Sequence, residues 1–394
     1  MPAGDVIPDL LDPFAGLAAE VPGALADHLR TVRLVDHHVH GVFAQPVDRA
    51  TFEASINEGS TDPVPDWMSM FDGPLGVALR RWCAPLLGLA PHASGDDYWA
   101  ARAALEPAEL AERFLGRAGA ARWVVDTGFQ GSLITPPDLL TEFSGGVPSS
   151  EILRLELQLE TLLSDGVPPA DLPDAFRARI AQLRPHVVGT KTIAAYRCGF
   201  DIDWARPEDA AVVSSARELL DRPGPVRVDT ATLSAFAVHE AAAAGLPIQV
   251  HVGFGDRDLD LHRADPLLLL PLLRTMEPVP VLLLHCYPFH RNAGYLAQAF
   301  DHVSFDVGLA VNYLGSRSVE LVGEAMEVAP FTKQLYSSDA YGPPELHFLG
   351  SLLWRRAMGL VLGAWVRRGE WSIQDATRAV DLIGVENAAR VYEL

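Results

Sequence analysis

The alternation of short apolar segments with helix-like segments restricts the fold of this chain more than any other feature. Apolar runs rich in β-branched residues predict buried strands. The first such run ends at His38 and His40, and the others lie at 123–129, 151–156, within 186–197, within 247–255, and at 281–287, 303–309 and 334–340. Helices are predicted between most of them, at 155–163, 171–183, 208–220, 233–244, 291–300 and 318–328.

Eight strands that alternate with helices predict an α/β fold with a parallel sheet covered by helices. Eight is also the number at which such a sheet closes as a (β/α)8 TIM barrel, which is our predicted fold class. A doubly wound open sheet is the alternative.

The chain shows no internal repeat and no low-complexity linker, so residues 1–394 are predicted to form one domain. Residues 1–31 resemble a helical lead-in. A long segment at 42–121, inserted after the first strand, lacks a strong strand pattern, and connections of this length are usually functional. Trp67, Met68, Met70 and Phe71 are its predicted apolar anchor. The segment is predicted to cover the barrel mouth or to form a subunit contact in a homo-oligomer.

Charge and composition exclude several classes of partner. The chain is 49% hydrophobic and 21% charged, as in folded globular proteins, and its net charge is −20. A surface this acidic repels nucleic acids and anionic lipids, and we therefore expect neither as a partner. Three scattered cysteines, no bilayer-spanning run and no secretory signal at the first residues predict a cytoplasmic protein that acts on a small molecule.

His38 and His40 form a candidate metal motif at the end of the first strand. Residues two apart on a strand point to the same face, so the two imidazoles lie close enough to bind one divalent ion. A pair of hydrogen-bonded histidines is the alternative interpretation of this motif taken alone.

The other predicted strands strengthen the metal hypothesis. His251, His285 and Asp339 stand at the ends of the fifth, sixth and eighth strands, and Lys191 lies near the end of the fourth. In a (β/α)8 barrel the carboxyl ends of the strands form one mouth, where catalytic residues gather. The side chains with metal-binding chemistry are therefore predicted to converge on one site.

Several segments resemble the amidohydrolase superfamily. The sequence DHHVH at 36–40, the two strand-end histidines and SSD at 337–339 carry this resemblance. KTIAAYR at 191–197, HVGFGDRD at 251–258 and ENAAR at 386–390 resemble the amidohydrolase-2 branch, and within it the FluG-like or nodulin-like group. The resemblance implies a metal-dependent barrel enzyme.

The resemblance also implies roles for the strand-end residues. His38, His40, His251 and Asp339 would bind a first divalent metal, with zinc the first choice and manganese or iron(II) the alternatives. Asp339 would also transfer a proton. His285 would either bind a second metal or polarise the substrate oxygen. For Lys191 the resemblance implies a carboxylated side chain that bridges two ions. The residue itself leaves two alternatives, an ammonium group that binds an anionic substrate and a solvated charge at a strand end.

The candidate substrate-binding residues are Tyr196, Arg197 and Asp256. The planar guanidinium of Arg197 suits a carboxylate, although a surface ion pair is the alternative. Asp256 lies close to His251 in sequence and could bind a substrate amine. His37 and Arg154 are interpreted as structural.

The resemblance implies a metal-dependent hydrolase that cleaves a C–N bond of a small polar substrate. Lys191 and Arg197 suggest that this substrate carries a carboxylate, as a γ-glutamyl amide does. A non-hydrolytic enzyme on the same barrel, a decarboxylase or a uronate-isomerase-like enzyme, is the alternative. A non-catalytic binding module is a third hypothesis, which the set of strand-end histidines disfavours.

Overall fold

A parallel β-sheet forms the centre of the molecule. The computed structural model describes residues 8–60, 62–129 and 131–394. Within these ranges, seven strands pair in chain order, each parallel to the next. They are β1 Leu34–Val39, β2 Ala120–Asp126, β3 Ser149–Arg154, β4 Val187–Thr192, β5 Ile248–Val252, β6 Val281–His285 and β7 Val303–Phe305.

The central strands are buried along their whole length because both faces of the sheet are covered. Every residue of β5 (IQVHV) and of β6 (VLLLH) is buried. Continuous burial of this kind is typical of parallel sheets, where crossover helices cover the outer face. The polar exceptions in these two strands, Gln249, His251 and His285, contribute to the site described below.

The eighth predicted strand, at 334–340, is absent as a regular strand, and this corrects the prediction. One isolated parallel bridge joins Gln334 to Phe305 of β7. On the other side, His37 of β1 donates from its backbone N to Tyr336 O at 3.1 Å, and Asp339 N donates to His38 O at 3.1 Å. The left-handed backbone of Asp339, at φ +49°, interrupts the extended conformation that a ladder requires. The seven-stranded sheet is therefore curled, and its ladder does not close.

Helices surround the sheet and bury their apolar faces against it. They are α1 Pro8–Leu11, α2 Gly23–Thr31, α3 Arg49–Ser55, α4 Pro74–Trp82, α5 Gly95–Ala103, α6 Pro107–Leu115, α7 Pro137–Phe143, α8 Leu155–Ser164, α9 Leu172–Leu183, α10 Ala194–Arg197, α11 Asp209–Leu220, α12 Ala231–Ala243, α13 Leu270–Met276, α14 His290–Ala299, α15 Gly308–Leu314, α16 Ser318–Ala325, α17 Pro344–Arg367, α18 Ile373–Asp381 and α19 Asn387–Tyr392. Each helix predicted between strands overlaps one of these, from α8 to α16. The predicted lead-in corresponds to α1 and α2, and its first seven residues lie outside the described ranges.

The inserted segment is helical and packs through aromatic side chains. Phe52 of α3 and Tyr98 of α5 both pack on Phe71, with ring centroids 5.9 and 5.4 Å from it. The predicted anchor is therefore correct for Phe71, which is 2% exposed, and wrong for Trp67, which is 84% exposed. Phe71 is buried because α3 and α5, two helices of the same segment, pack around it.

The helices formed by residues 8–60, 62–129 and 131–394 include none that is both long and apolar enough to cross a bilayer. The cytoplasmic location and the homo-oligomeric state stay predictions.

Candidate active site

A cavity of about 290 Å³ opens at the carboxyl ends of the strands. Residues from the strand ends, the loops that follow them and the inserted segment line it. They are His40, Asn57, Glu58, Phe129, Arg154, Lys191, Ile193, Tyr196, Arg197, Arg227, His251, Asp256, Asp258, Asp339 and Tyr341. The predicted metal and substrate residues therefore meet around one space, with His38 and His285 buried beside it.

His38 is fixed by a hydrogen bond from behind. Its Nδ1 lies 2.8 Å from Oε1 of Gln249, whose own Nε2 donates to His37 O. The amide oxygen can only accept, so His38 carries its proton on Nδ1 and presents the Nε2 lone pair to the site. That Nε2 lies 3.0 Å from Oδ1 of Asp339. The contact between Nδ1 and Gln249 is typical of metal-binding histidines, whose ring nitrogen remote from the metal donates to a protein acceptor.

His40 is oriented in the same way. Its Nδ1 donates to the backbone oxygen of Asp126 at 2.8 Å, which leaves Nε2 as the free acceptor. Nε2 lies 3.6 Å from Asp339 Oδ1. The His-x-His pair therefore has both rings on one face of the strand end, as the two-residue spacing predicts.

His285 and Asp339 both have left-handed backbones, with φ of +70° and +49°. For residues with a Cβ, such backbone conformations cost about 1–3 kcal/mol and cluster at functional sites. Asp306 holds this geometry: its Oδ1 accepts hydrogen bonds from His285 N at 3.0 Å and from Ser337 Oγ at 3.0 Å. With both backbones held in this way, His285 Nε2 lies 3.6 Å from Asp339 Oδ2.

His251 completes a row of rings. Its centroid lies 4.7 Å from that of His285 and 4.6 Å from that of Tyr196. Gly255 makes room for the tyrosine, because a Cβ there would lie 2.1 Å from Tyr196 Oη. The buried Nε2 of His251 has no hydrogen-bond partner among the described residues.

The charges of this cluster suit a divalent cation. Burial and the nearby Lys191 lower the pKa of His38 to about 3, and burial lowers the pKa of His251 and of His285. Burial opposes ionisation of Asp339, but its imidazole neighbours outweigh this and hold its pKa well below the usual range. Neutral imidazoles around a carboxylate are the donor set that zinc and similar ions bind.

Buried polar atoms without a hydrogen bond test whether these residues fit a metal ion. Within the described part of the chain, both ring nitrogens of His285, Nε2 of His251 and Oδ1 of Asp339 are buried without a hydrogen bond. Such atoms are costly unless a ligand satisfies them. Ligand atoms of His38, His285 and Asp339 lie within 4.8 Å of one another, as do those of His38, His40 and Asp126. The residues fit a divalent metal, although His251 stands outside both triads.

Lys191 is not a solvated charge, so that alternative is wrong. Its side chain is buried, with Nζ 2.8 Å from His38 Nε2 and 3.4 Å from Asp126 Oδ2. Burial outweighs the attraction of Asp126 and lowers the pKa of Lys191. Its position inside the cluster agrees with both other interpretations, a carboxylated bridge and a cation that meets the substrate.

Asp126 and Arg154 belong to the site, although the sequence interpretation missed the first and assigned the second a structural role. Arg154 Nη2 donates to Asp126 Oδ2 at 2.5 Å, and its guanidinium lines the cavity. Burial opposes ionisation of Asp126, but Arg154 and Lys191 outweigh it and lower the pKa. Both residues end their strands, β2 and β3, whereas the predicted strands continued to 129 and 156, so the strand-end rule did not select them. His37, in contrast, lies buried between Asp306 and Tyr392 as a structural residue.

The predicted substrate residues Tyr196, Arg197 and Asp256 all line the cavity. Arg197 Nη1 lies 3.2 Å from Glu160 Oε1, without the alignment of a hydrogen bond, and its side chain is only 10% exposed. It is therefore a buried cation rather than part of a surface ion pair. Two further charged residues that the sequence interpretation missed, Glu58 and Arg227, line the same space. They lie in loops far from any strand, so no local pattern indicates them.

Comparison with known proteins agrees with this site. The family model described as Amidohydrolase, Amidohydro_2, matches residues 166–394, more than half of the chain. The chain therefore belongs to the amidohydrolase family. Protein fluG of Emericella nidulans is 27% identical over 416 residues, which cover 93% of this chain and 46% of that protein. The chain thus spans about half the length of this curated relative, and the predicted FluG-like branch is confirmed.

Solved structures share the fold of this chain. A Lactobacillus casei protein, proposed to be a metal-dependent hydrolase, superimposes with a TM-score of 0.75 and 26% identity, over 94% of this chain and 97% of that one. A uronate isomerase of Thermotoga maritima matches with a TM-score of 0.62 and 11% identity, over 95% and 98% of the two chains. The isomerase shows likeness of fold alone. Family and site together identify an enzyme of the metal-dependent hydrolase type.

Proposed function

We propose that this enzyme hydrolyses the C–N bond of a small amide that carries a carboxylate, such as a γ-glutamyl amide. The observation that carries the proposal is the set of unpartnered imidazole nitrogens around the Asp339 carboxylate, beside the buried guanidinium of Arg197. The first group suits a hydrolytic metal, and the second suits an anionic substrate.

The proposed ligands of the metal are His38, His40, His251 and Asp339, with His285 as a further ligand or as the group that polarises the substrate oxygen. When bound, a divalent cation here would lower the pKa of water toward neutrality and polarise the substrate carbonyl. Zinc is the proposed ion because neutral imidazoles and one carboxylate suit it, and manganese or iron(II) is the alternative. Residues 334–340 would take the eighth position of a (β/α)8 barrel and so carry Asp339 to this mouth.

Asp339 is the proposed proton carrier. Its carboxylate would accept a proton from the attacking water and deliver it to the leaving nitrogen, which departs as a neutral amine. Its Oδ1 has no hydrogen-bond donor among the described residues, so this acceptor is available. The left-handed backbone at Asp339 fixes the carboxylate between three imidazoles before substrate arrives.

Arg197 is the proposed anchor of the substrate carboxylate, with Tyr196 beside it. Burial lowers the pKa of the Arg197 guanidinium, and Glu160 only partly opposes this. A substrate carboxylate would supply the paired hydrogen bonds that the glutamate does not. Lys191 sets the number of ions: two if it is carboxylated, and one if its amine stays free, because an ammonium group would repel a second cation.

The test uses the full chain and a chromogenic amide, γ-glutamyl-p-nitroanilide. We expect turnover that is lost on dialysis against a chelator and restored by zinc or manganese, with metal content measured on the same samples. The double substitution of His38 and His40 by asparagine should remove both metal and turnover. Turnover that survives metal removal would contradict the proposal.

Product analysis separates the alternative reactions. Hydrolysis releases an amine and a carboxylic acid in equal amounts. Carbon dioxide or an isomerised sugar acid as the product, with no amine released from any amide, would instead favour the decarboxylase or uronate-isomerase alternative.

A further inference from the structure

Glu58 brings an uncompensated carboxylate into the cavity from the inserted segment. It is partly buried, and no arginine or lysine of the described residues forms an ion pair with it. Burial, Asp339 and Asp256 raise its pKa well above the usual range, which reflects the crowding of negative groups around it. A carboxylate in such surroundings gains from a cation supplied by a ligand.

Asp256 approaches the cavity from the same side. The backbone of the inserted segment docks on the loop after β5, where Arg257 N donates to Gly59 O at 3.1 Å. The Arg257 side chain also pairs with Asp62 at 2.6 Å. Glu58 and Asp256 immediately precede the two hydrogen-bonded residues, so both carboxylates enter the cavity next to this joint.

The same cavity contains an incompletely satisfied cation. Nε and Nη1 of Arg197 are buried without a hydrogen-bond partner in the described part of the chain, although the side chain is nine-tenths buried. Arg227, which also lines the cavity, forms no ion pair with any described residue. The cavity therefore offers charges of both signs to one ligand.

We propose that Glu58, together with Asp256, forms a subsite for the ammonium group of a substrate whose carboxylate binds at Arg197. The substrate is then a zwitterion, and the inserted segment acts as a specificity device that selects for a free amine. This inference rests on the proposed function for its reaction but makes a separate statement about binding. It also gives Glu58 a role that no motif in the sequence indicates.

Two ligands that differ only in the amine test the subsite. L-glutamate carries the ammonium group and glutarate lacks it, while both keep the two carboxylates. We expect calorimetry on the metal-loaded protein to give a roughly 10- to 100-fold higher affinity for L-glutamate, the range of a charge-assisted hydrogen bond. Glu58→Gln, which keeps the shape and removes the charge, should bring the ratio of the two affinities toward one.

A matched variant controls for net charge. Asp260 lies on the same loop as Asp256, its side chain is 66% exposed, and it does not line the cavity. Asp260→Asn changes the net charge of the protein by the same amount as Glu58→Gln. It should keep the affinity ratio of the wild type. An equal fall of the ratio in both variants would show a general effect of charge and would overturn the subsite.

The outcomes separate this inference from the proposed function. The substrates γ-glutamyl-p-nitroanilide and glutaryl-p-nitroanilide supply the kinetic counterpart of the ligand pair. Hydrolysis of both at equal efficiency, with equal affinity for the two acids or binding of neither, overturns the ammonium subsite and leaves the hydrolase intact. If neither anilide is hydrolysed, but the protein binds L-glutamate selectively and this selectivity depends on Glu58, the proposed reaction is overturned and the subsite is supported.

Discussion

The two sides of the cavity are built differently. The strand-end side consists of buried groups, among them His38, His251 and His285, whose rings are fixed by strands or by a constrained backbone. The loop side consists of groups that reach solvent, such as the partly exposed Asp256 and the exposed Arg227, held by loops and by the inserted segment. Among the described residues, the first side contains imidazole nitrogens without a hydrogen bond, and the second contains charged groups without an ion pair.

This difference suits a separation of two roles, metal binding on the strand-end side and substrate binding on the loop side. The proposed metal ligands are placed at the ends of the rigid sheet, where little motion is possible, and reactive geometry tolerates little motion. The proposed substrate-binding groups stand on loops, which vary more easily and can follow a ligand. Substitutions on the strand-end side should therefore abolish chemistry, and those on the loop side should change selectivity.

The largest expected effect is at Asp339. Asp339→Asn removes the proposed proton acceptor and one metal contact, so kcat should fall by about 10³-fold or more. Asp260→Asn on the loop side is the control and should retain turnover. The measurements are steady-state kinetics and metal analysis of both variants, and turnover within tenfold of wild type at full metal content would remove Asp339 from the mechanism.

The next largest effect concerns the buried His347 of α17, whose Nε2 donates to the backbone oxygen of His40 at 3.0 Å. Burial lowers its pKa to about 4, from the ordinary histidine value of about 6.5. Between these values the unfolded chain binds more protons than the folded one, so stability falls as pH drops from 6.5 toward 4. His347 should therefore lower the free energy of unfolding by about 2–3 kcal/mol at pH 4.5 relative to pH 7.

Denaturant unfolding of wild type and His347→Asn at pH 7 and pH 4.5 isolates this contribution. The variant should lose less stability than wild type over that interval. Equal losses would show that the region behind the strand ends tolerates a charge, which would weaken the contrast between the two sides.

A smaller effect is expected at Gln249, which orients His38 from behind. Gln249→Leu removes the acceptor for Nδ1 and should weaken metal affinity by about 10- to 100-fold. Tyr392→Phe is the matched control, because it removes the hydroxyl that Gln249 Nε2 contacts and leaves the Gln249–His38 contact in place. Metal titration should rank the two variants in that order, and the reverse order would argue against tautomer control by Gln249.

The smallest effect is expected on the loop side, at the ion pair between Arg257 and Asp62. The two side chains are 67% and 56% exposed, and such pairs contribute about 0–1 kcal/mol. Arg257→Ala should therefore shift the free energy of unfolding by less than about 1 kcal/mol, since the backbone contact to Gly59 remains. A larger loss would show that the inserted segment is held by this pair rather than by its aromatic core.

Much of the site could be predicted because strand ends leave a signal in the sequence. His38, His40, His251 and His285 interrupt or end apolar runs, and a polar group at such a place has few structural reasons to exist. Asp126 and Arg154 also interrupt apolar runs, but they were missed because the predicted strands continued past the observed ends of β2 and β3. Glu58 and Arg227 could not be predicted, because a charged residue in a loop is ordinarily solvated and nothing nearby distinguishes these two.

The sequence by itself determined the order of strands and helices and the family, because apolar periodicity and short motifs are local properties. Only the tertiary structure decided the left-handed backbone at Asp339, the missing eighth ladder and the burial of Lys191. It also decided that Glu58 would stand beside Asp256. These features depend on contacts between residues far apart in the chain, and such contacts are set by packing rather than by the residues next to them.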